Sequence, residues 1–407
     1  MKTFDIPQYY RSPIIGKIKA KRKLQDPRKK DFSPSTLNFN DLNLIIPRHF
    51  GFCYGVENAI EISYKAINEN PDKRIYLLSE MIHNPGVNAD LLSRGVQFLQ
   101  DTKGNQIIDW KLLTADDIVI IPAFGTTVEI EQKLASIGIA PEQYNTTCPF
   151  VEKVWNRSQK LGDDNHTVII HGKNNHEETR ATFSHASAHA KSVVVKDMAE
   201  TKVLADFIMG RRDLSEFKAV FGHAISDEFN PETDFEKIGV INQTTMLASD
   251  TQAISDYLQS EYASKFGEND LKNHFANTRD TLCYATNDNQ TATLELMNKT
   301  ADIAIVIGGY NSSNTTHLVE LLEQKFPTYF IKDETEISDA GLVNHFDIHS
   351  KTVKTSTLMP PDQLPKNIII SSGASCPDAV VDRVIQKLLY FYPNPSTIEN
   401  VLQNFIS

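Results

Sequence analysis

Three of the four cysteines stand directly ahead of a stretch with helical character. Cys53 precedes YGVENAIEISYKAI, Cys148 precedes PFVEKVWNRSQKL, and Cys283 precedes YATNDNQTATLELM. A helix start offers unsatisfied backbone N–H groups and the positive end of the helix dipole, which together favour a thiolate and an anionic centre. Pro149, next to Cys148, is a preferred first helical residue and supports that placement. Soft thiolates select zinc, copper(I) or an iron–sulfur cluster. Zinc sites usually show close pairs such as CxxC, which this chain lacks. A 4Fe–4S cluster held by three separate cysteines leaves one iron without a protein ligand, the open position that a substrate-activating metal needs. The competing reading, that the thiols are small buried hydrophobes, is weakened by their spacing.

Each cysteine–helix stretch leads to an apolar run and then to a polar loop. RIYLLSE precedes His83-Asn84-Pro85, TVIIHG precedes Asn175-His176-Glu177-Glu178, and ADIAIVIGG precedes Asn311-Ser312-Ser313-Asn314. From cysteine to polar loop the separations are 30, 28 and 29 residues. A second loop series also follows apolar strands: AFGTT at 123–127, NQTT at 242–245 and SGAS at 372–375. Three α/β modules of one plan, each with one thiol and two polar loops, imply pseudo-threefold packing around a shared centre. The loops have the chemistry of anion sites. In IGGYNSSNTTHLVELLEQ a strand, a glycine turn and hydroxyl and amide side chains lead into a helix, which presents N–H groups to a phosphate. The segment is neither a Walker loop nor a GxGxxG fingerprint, and plain serine capping explains it equally well on local sequence. Two hydroxyl-rich loops and two histidine loops at one centre would form a diphosphate site.

His176-Glu177-Glu178 adds a general-acid candidate. In an extended loop, adjacent carboxylates point in opposite directions, so at most one faces the centre, and burial helps a glutamate keep a proton to donate. The run is not the HExxH zinc motif, because Arg180 fills its last position. His185 and His189 share an i,i+4 spacing without an evident third ligand. Cys376-Pro377 repeats the look of Cys148-Pro149, yet it follows Ser375 in the second loop series, outside the cysteine–helix series.

The elements that must hold these residues read as α/β. Short β-branched runs at 44–46, 74–78, 117–122, 167–171, 192–195, 301–308 and 367–371 alternate with stretches of helical spacing such as Val56, Ile60, Tyr64 and Ile67. Strands alternating with helices mean βαβ units and small parallel sheets. Residues 200–238 are richer in charge and read as an insertion. Residues 1–35 carry ten Lys or Arg against three Asp, with Pro7, Pro13, Pro27 and Pro34 among them. That composition predicts a basic arm that buries little; it is too Lys-rich and Ser-poor for a transit peptide. The expected division is a basic arm over 1–43, a first module over 44–146, a second over 147–280, a third over 281–392 and a tail over 393–407. A length of 407 residues suits two or three compact units. The net charge of -11 argues against nucleic-acid binding. No apolar stretch approaches the roughly 20 residues that cross a bilayer, and scattered cysteines point to a reducing, cytoplasmic setting.

HFGFCYGVENAI, MIHNPGVN, TTCPFVEKV, HGKNNHEETRAT, INQTTMLASDT, TLCYATNDNQTA, GGYNSSNTTHL and SSGASCPD, in that order, resemble the successive motifs of the LytB or IspH family, the 4-hydroxy-3-methylbut-2-enyl diphosphate reductases, in their long form. The resemblance runs from about residue 44 to 388. It implies a trefoil-like assembly of three α/β modules around one 4Fe–4S cluster per subunit, held by Cys53, Cys148 and Cys283 with one iron open. The activity it implies is reductive dehydroxylation of (E)-4-hydroxy-3-methylbut-2-enyl diphosphate to isopentenyl and dimethylallyl diphosphate, the last step of the methylerythritol phosphate pathway. The family's diphosphate-binding positions map onto His83, His176, Ser312, Ser313, Asn314 and Ser375. Its proton-relay glutamate maps onto Glu178, with His176 also catalytic, Thr244 beside the substrate hydroxyl, and Gln243 and Thr245 in support. Many short-form members carry a histidine where this chain has Phe124, so the diphosphate charge must be met without it, with Thr126 or Thr127 as replacements. The resemblance also implies ferredoxin or flavodoxin as electron donor, with Lys153, Arg157 and Lys160 or the basic arm as a docking patch. The nearest rival is another open-site 4Fe–4S enzyme of three modules, similar to quinolinate synthase, which would not require the NSSN and QTT loops in this order. A cluster-dependent sensor without turnover would leave the paired polar loops without a purpose.

Overall fold

A computed structural model of the chain describes residues 4–276, 281–360 and 362–406, the side chains of 404–406 excepted. Each of the seven β-branched runs contains a strand. Among the described residues the strands form three mostly parallel sheets and one ribbon. The smallest sheet holds Gln97–Phe98, Ile75–Leu77 and Ile118–Ile120 in that spatial order. The next holds Ser192–Val195, Thr167–His171, Ile238–Asn242 and Phe275–Ala276. The largest holds Ser35–Asn38, Asn43–Ile46, Asn367–Ser372, Ile303–Ile307 and Thr328–Ile331, with only its first pair antiparallel. Central strands such as Thr167–His171 and Ile303–Ile307 are buried along their whole length. Strands covered on both faces read as continuous apolar runs, which is why these were visible without alternation. Leu342–Asp347 and Thr352–Thr357 form the antiparallel ribbon.

The chain divides into two compact units, each discontinuous in sequence. The first comprises Met1–Glu57, His83–Ala89 and Tyr284–Ser407; the second comprises Asn58–Ile82 and Asp90–Cys283.

In the first unit, the N-terminal segment buries more than its composition predicts. Helix Pro13–Gln25 is capped by Ser12, whose Oγ accepts the Ile15 N–H at 2.7 Å. Ile14, Ile15 and Ile18 of that helix join the apolar core that includes Val381, Val384 and Ile385 of helix Asp378–Leu389. Three isoleucines at helical spacing suffice for one apolar stripe, and averaging over the lysines around them hides it. Asn43–Ile46 pairs in parallel with Asn367–Ser372 instead of with Ile75–Leu77, so it completes the sheet of the Cys283 stretch.

The second unit contains the two smaller sheets. Its charged stretch 200–238 packs into a core shared with the neighbouring strands, including Ile169, Val193 and Val240: Phe207, Phe217, Phe221, Phe229 and Phe235 are buried, with ring centroids 5.1 to 6.2 Å apart. Among the described residues, no helix is long and apolar enough to cross a membrane.

Candidate active site

The expected site residues fall into two sets. Cys53, His83, Ser312, Ser313, Asn314 and Ser375 belong to the first unit; Cys148, His176, Glu178, Gln243, Thr244, Thr245 and Cys283 belong to the second.

In the first unit, strand Ile303–Ile307 runs into Gly308-Gly309, and helix Ser313–Leu322 begins after Ser312. Ser312 caps this helix, its Oγ accepting the Thr315 N–H at 3.3 Å and the Thr315 hydroxyl at 2.9 Å. Asn314 Oδ1 accepts the Ala374 N–H at 3.0 Å and an Asn289 amide hydrogen at 3.4 Å, which ties the NSSN loop to the SGAS loop. Asn314 Nδ2 is buried with no hydrogen-bond partner. Buried donors are nearly always satisfied, so an amide left over at a helix start is suited to a ligand oxygen. Ser375 Oγ donates to the His83 carbonyl at 3.2 Å. His83 Nδ1 lies 3.1 Å from Asn311 Nδ2; with the amide donating, the ring proton is on Nε2. A Cβ on Gly309 would sit 2.3 Å from the His83 carbonyl oxygen, so only glycine permits this approach. The Cys53 N–H donates to the Ala374 carbonyl at 3.2 Å, and the Cys53 carbonyl accepts from Glu57 at 3.0 Å, opening helix Tyr54–Glu69.

In the second unit, one residue links an acid to the backbone of a cysteine. The Thr244 N–H donates to Glu178 Oε1 at 2.5 Å, and the Thr244 carbonyl accepts the Cys283 N–H at 3.1 Å. Gln243 is fully buried; its Oε1 accepts from the Lys173 N–H at 3.2 Å and the Thr179 hydroxyl at 3.0 Å, while Nε2 donates to Thr245 Oγ1 at 2.7 Å. His176 caps helix Glu177–Ser187, with Nδ1 accepting the Glu178 N–H at 3.2 Å, which leaves the ring proton on Nε2. Phe124 meets the His176 ring edge-on, centroids 5.7 Å apart. Thr127 caps helix Val128–Ile137.

Two expectations need correction here. Glu177 and Glu178 are first-turn helical residues, not an extended loop, and both are buried. They still diverge, because successive helical side chains are about 100° apart: Glu177 accepts from the Ser79 hydroxyl and Glu178 from Thr244. The helix start also fails to lower the Cys148 thiol pKa. Burial pushes it up to about 11, with Cys283 and Glu178 adding to the rise and the Phe150 and Val151 N–H groups opposing it. Desolvation of the thiolate outweighs the helix N–H groups.

Asn242 went unnoticed in the sequence beyond its place in NQTT. Buried at the end of strand Ile238–Asn242, it exchanges hydrogen bonds of 2.8 to 3.1 Å with Thr281, two residues before Cys283, and donates to the Gln243 carbonyl at 3.0 Å. Polar character alone gives no sign of such burial.

All four cysteines are free thiols. Cys376 is completely buried in the apolar core of the first unit, its thiol donating weakly to the Pro377 carbonyl at 3.6 Å. Burial raises its pKa strongly, and it is a core residue. Among the described residues, no three His, Cys, Asp or Glu side chains are assembled around a single metal ion. A four-iron cluster takes each thiolate on a different iron and needs no such convergence. A half-buried thiol such as Cys148 ionises when a metal supplies the compensating charge, so these donors suit cluster ligation.

Parallel strands ending in hydroxyl and histidine loops, with free thiols at helix starts, place the fold in the α/β class. Within that class, the chain belongs to the LytB protein family, whose sequence pattern matches residues 44–389. A protein of Synechococcus sp. (strain WH7803) named 4-hydroxy-3-methylbut-2-enyl diphosphate reductase is 38% identical over 386 residues, covering 95% of this chain and 91% of its own. One of the same name from Gloeothece citriformis (strain PCC 7424) is 40% identical over 356 residues, covering 86% and 85%. The solved E-1-hydroxy-2-methyl-but-2-enyl-4-diphosphate reductase from Plasmodium falciparum shares the fold, with a TM-score of 0.61 over 91% of this chain and 98% of that one at 21% identity.

Proposed function

We propose that this chain is a cytoplasmic 4-hydroxy-3-methylbut-2-enyl diphosphate reductase, the terminal enzyme of the methylerythritol phosphate pathway. It breaks the allylic C–O bond of (E)-4-hydroxy-3-methylbut-2-enyl diphosphate with two electrons and two protons, releasing water and forming isopentenyl or dimethylallyl diphosphate. In a member of the LytB family, one observation carries the reading: the backbone of Thr244 bonds both the Glu178 carboxylate and the Cys283 N–H, so a proton source and a cysteine meet at one residue.

The proposed cofactor is one 4Fe–4S cluster per subunit on Cys53, Cys148 and Cys283, central to three pseudo-threefold-related modules over 44–146, 147–280 and 281–392, with 1–43 and 393–407 flanking them. Free thiols directly before three helices, and sheets whose strands recur in the same order after each, support it. When bound, the cluster supplies electrons singly and, at its open iron, Lewis acidity for the departing oxygen; ferredoxin or flavodoxin is the proposed electron source.

The chain's own residues hold substrate and move protons. Ser312, Ser313 and Asn314 offer a helix start and a spare amide to the diphosphate, with Ser375 beside them. His83 and His176 add Nε2–H donors, since their Nδ1 atoms are engaged by Asn311 and the Glu178 N–H. Phe124 carries no charge and orients the His176 ring instead. Thr127 is engaged as a helix cap, so of the two threonines Thr126 remains to help meet the diphosphate charge. Glu178 delivers protons with the Thr244 hydroxyl, while Gln243 and Thr245 brace the loop. Binding energy from the remote diphosphate positions the reacting carbon.

Anaerobic purification and Mössbauer spectroscopy with and without substrate test the reading. One iron distinct from the others and altered by substrate, with turnover by reduced methyl viologen, is the expected result. A missing cluster, four equivalent irons or no turnover overturns it.

A further inference from the structure

In the first unit, Cys53 lines an open cavity of about 230 Å³ together with Lys19, Lys23, Lys29, Arg48 and His49. Asp288 is the only carboxylate among the lining residues. Lys19 is held by Asp378 at 2.7 Å. Arg48 is buried, donating to the Arg22 and Asp26 carbonyls at 3.4 and 3.5 Å, with its Nε left without a partner. Lys23 is exposed and Lys29 half-buried, and among the described residues neither makes an ion pair. His49 adds no charge to offset or extend this set near neutral pH, because burial and the neighbouring Arg48, Lys29 and Lys19 push it down to about 4.

This concentration of cations is out of character with a chain of net charge -11. Solubility does not require it, and a merely solvated helix would not turn Lys19, Lys23 and, beyond its end, Lys29 toward one thiol-bearing cavity. The three lysines precede residue 44, where the family pattern begins. Hydrated ammonium groups at a rim act over about one Debye length, roughly 8 Å at physiological salt. They therefore steer a large acidic partner better than they enclose a small anion. Phe50, Phe52 and Tyr284 supply apolar area within the same lining, and Cys53 is only half-buried.

We propose that an acidic one-electron carrier protein docks on this face, its carboxylates on Lys23 and Lys29 and its redox centre opposite Cys53. The inference rests on the reductase reading, since electrons delivered at Cys53 need an acceptor behind it. Each encounter oxidises one carrier by one electron, so two oxidised carriers leave for every water released. The set Lys153, Arg157 and Lys160 on helix Pro149–Asp163 is the weaker candidate: Glu152 stands beside Lys153, and Lys153 lies over the Phe150 ring at 4.5 Å.

The test uses the cluster-loaded full chain and an acidic [2Fe–2S] ferredoxin as probe. Calorimetry at low and high salt gives its affinity; turnover is read once with reduced ferredoxin and once with reduced methyl viologen. Lys23→Glu with Lys29→Glu should weaken ferredoxin binding about tenfold or more, flatten its salt dependence and slow ferredoxin-driven turnover alike, while viologen-driven turnover stays unchanged and reports an intact fold. Lys153→Glu with Arg157→Glu should alter none of these. Unchanged ferredoxin affinity in the first pair, or a loss confined to the second pair, overturns the proposal. So does inorganic pyrophosphate binding that vanishes in the first pair while ferredoxin binding persists. Wild-type protein that binds ferredoxin through these lysines but never turns over with viologen keeps the docking face and removes the reductase reading.

Discussion

At Cys148 the helix begins with Pro149, the thiol residue is the N-cap, and the side chain is half-buried. At Cys376 the helix begins with Asp378, Pro377 is the cap, and the thiol lies one residue further out, buried in a core that includes Phe50, Val380 and Val381. The dipeptide is the same in both places. Moving the helix start by one residue rotates the thiol away from the helix terminus and into the apolar core. Burial raises both thiol pKa values, to about 11 at Cys148 and strongly at Cys376. The ionisable neighbours differ: Cys283 and Glu178 at Cys148, Asp378, Lys19 and Arg383 at Cys376. What a cysteine can do follows from its surroundings, not from its flanking proline.

The largest effect separates the two thiols directly. Cys148→Ser should bring iron content and turnover to background after anaerobic reconstitution, whereas Cys376→Ala should retain both; loss of iron in the Cys376 variant would break the contrast. Glu178→Gln should keep the iron and lower turnover by about 10²- to 10⁴-fold, the usual worth of a positioned proton donor. A fall in iron that matches the fall in rate would make Glu178 a structural prop of the Cys148 surroundings instead. Ser312→Ala should raise KM about tenfold or more with a smaller change in kcat, since a hydrogen bond to a charged group contributes about 1.5–3 kcal/mol; an unchanged KM would reduce Ser312 to a cap. The smallest effect returns to the core thiol. Cys376→Ser puts a hydroxyl among apolar side chains and should cost about 1–3 kcal/mol, seen as a lower denaturation midpoint with unchanged cluster absorbance. No change in midpoint would mean that Cys376 is less completely enclosed than its packing shows.

Much of the framework around the candidate site was legible because its signals are local. The helices after Cys53, Cys148 and Cys283 start where the sequence places them, at Tyr54, Pro149 and Tyr284. The polar loops follow buried strands at Leu77, His171 and Ile307. The pairing of Asn43–Ile46 with Asn367–Ser372 was not legible, since over 300 residues separate the partners and a short apolar run carries no address. Nor was the embedding of Ile14, Ile15 and Ile18 in a lysine-rich segment, nor the clamp of Asn242 on Thr281. Both depend on burial, which composition averages away.

By itself, the sequence determined where strands and helices begin and which residue types stand at those boundaries, because periodicity and capping involve neighbours within about four positions. Tertiary structure alone decided that Cys376 is core, that Glu178 meets the Thr244 peptide while Glu177 turns to Ser79, and that Lys19, Lys23 and Lys29 border Cys53. Those outcomes depend on desolvation and on contacts between segments far apart in the chain, which no local pattern encodes.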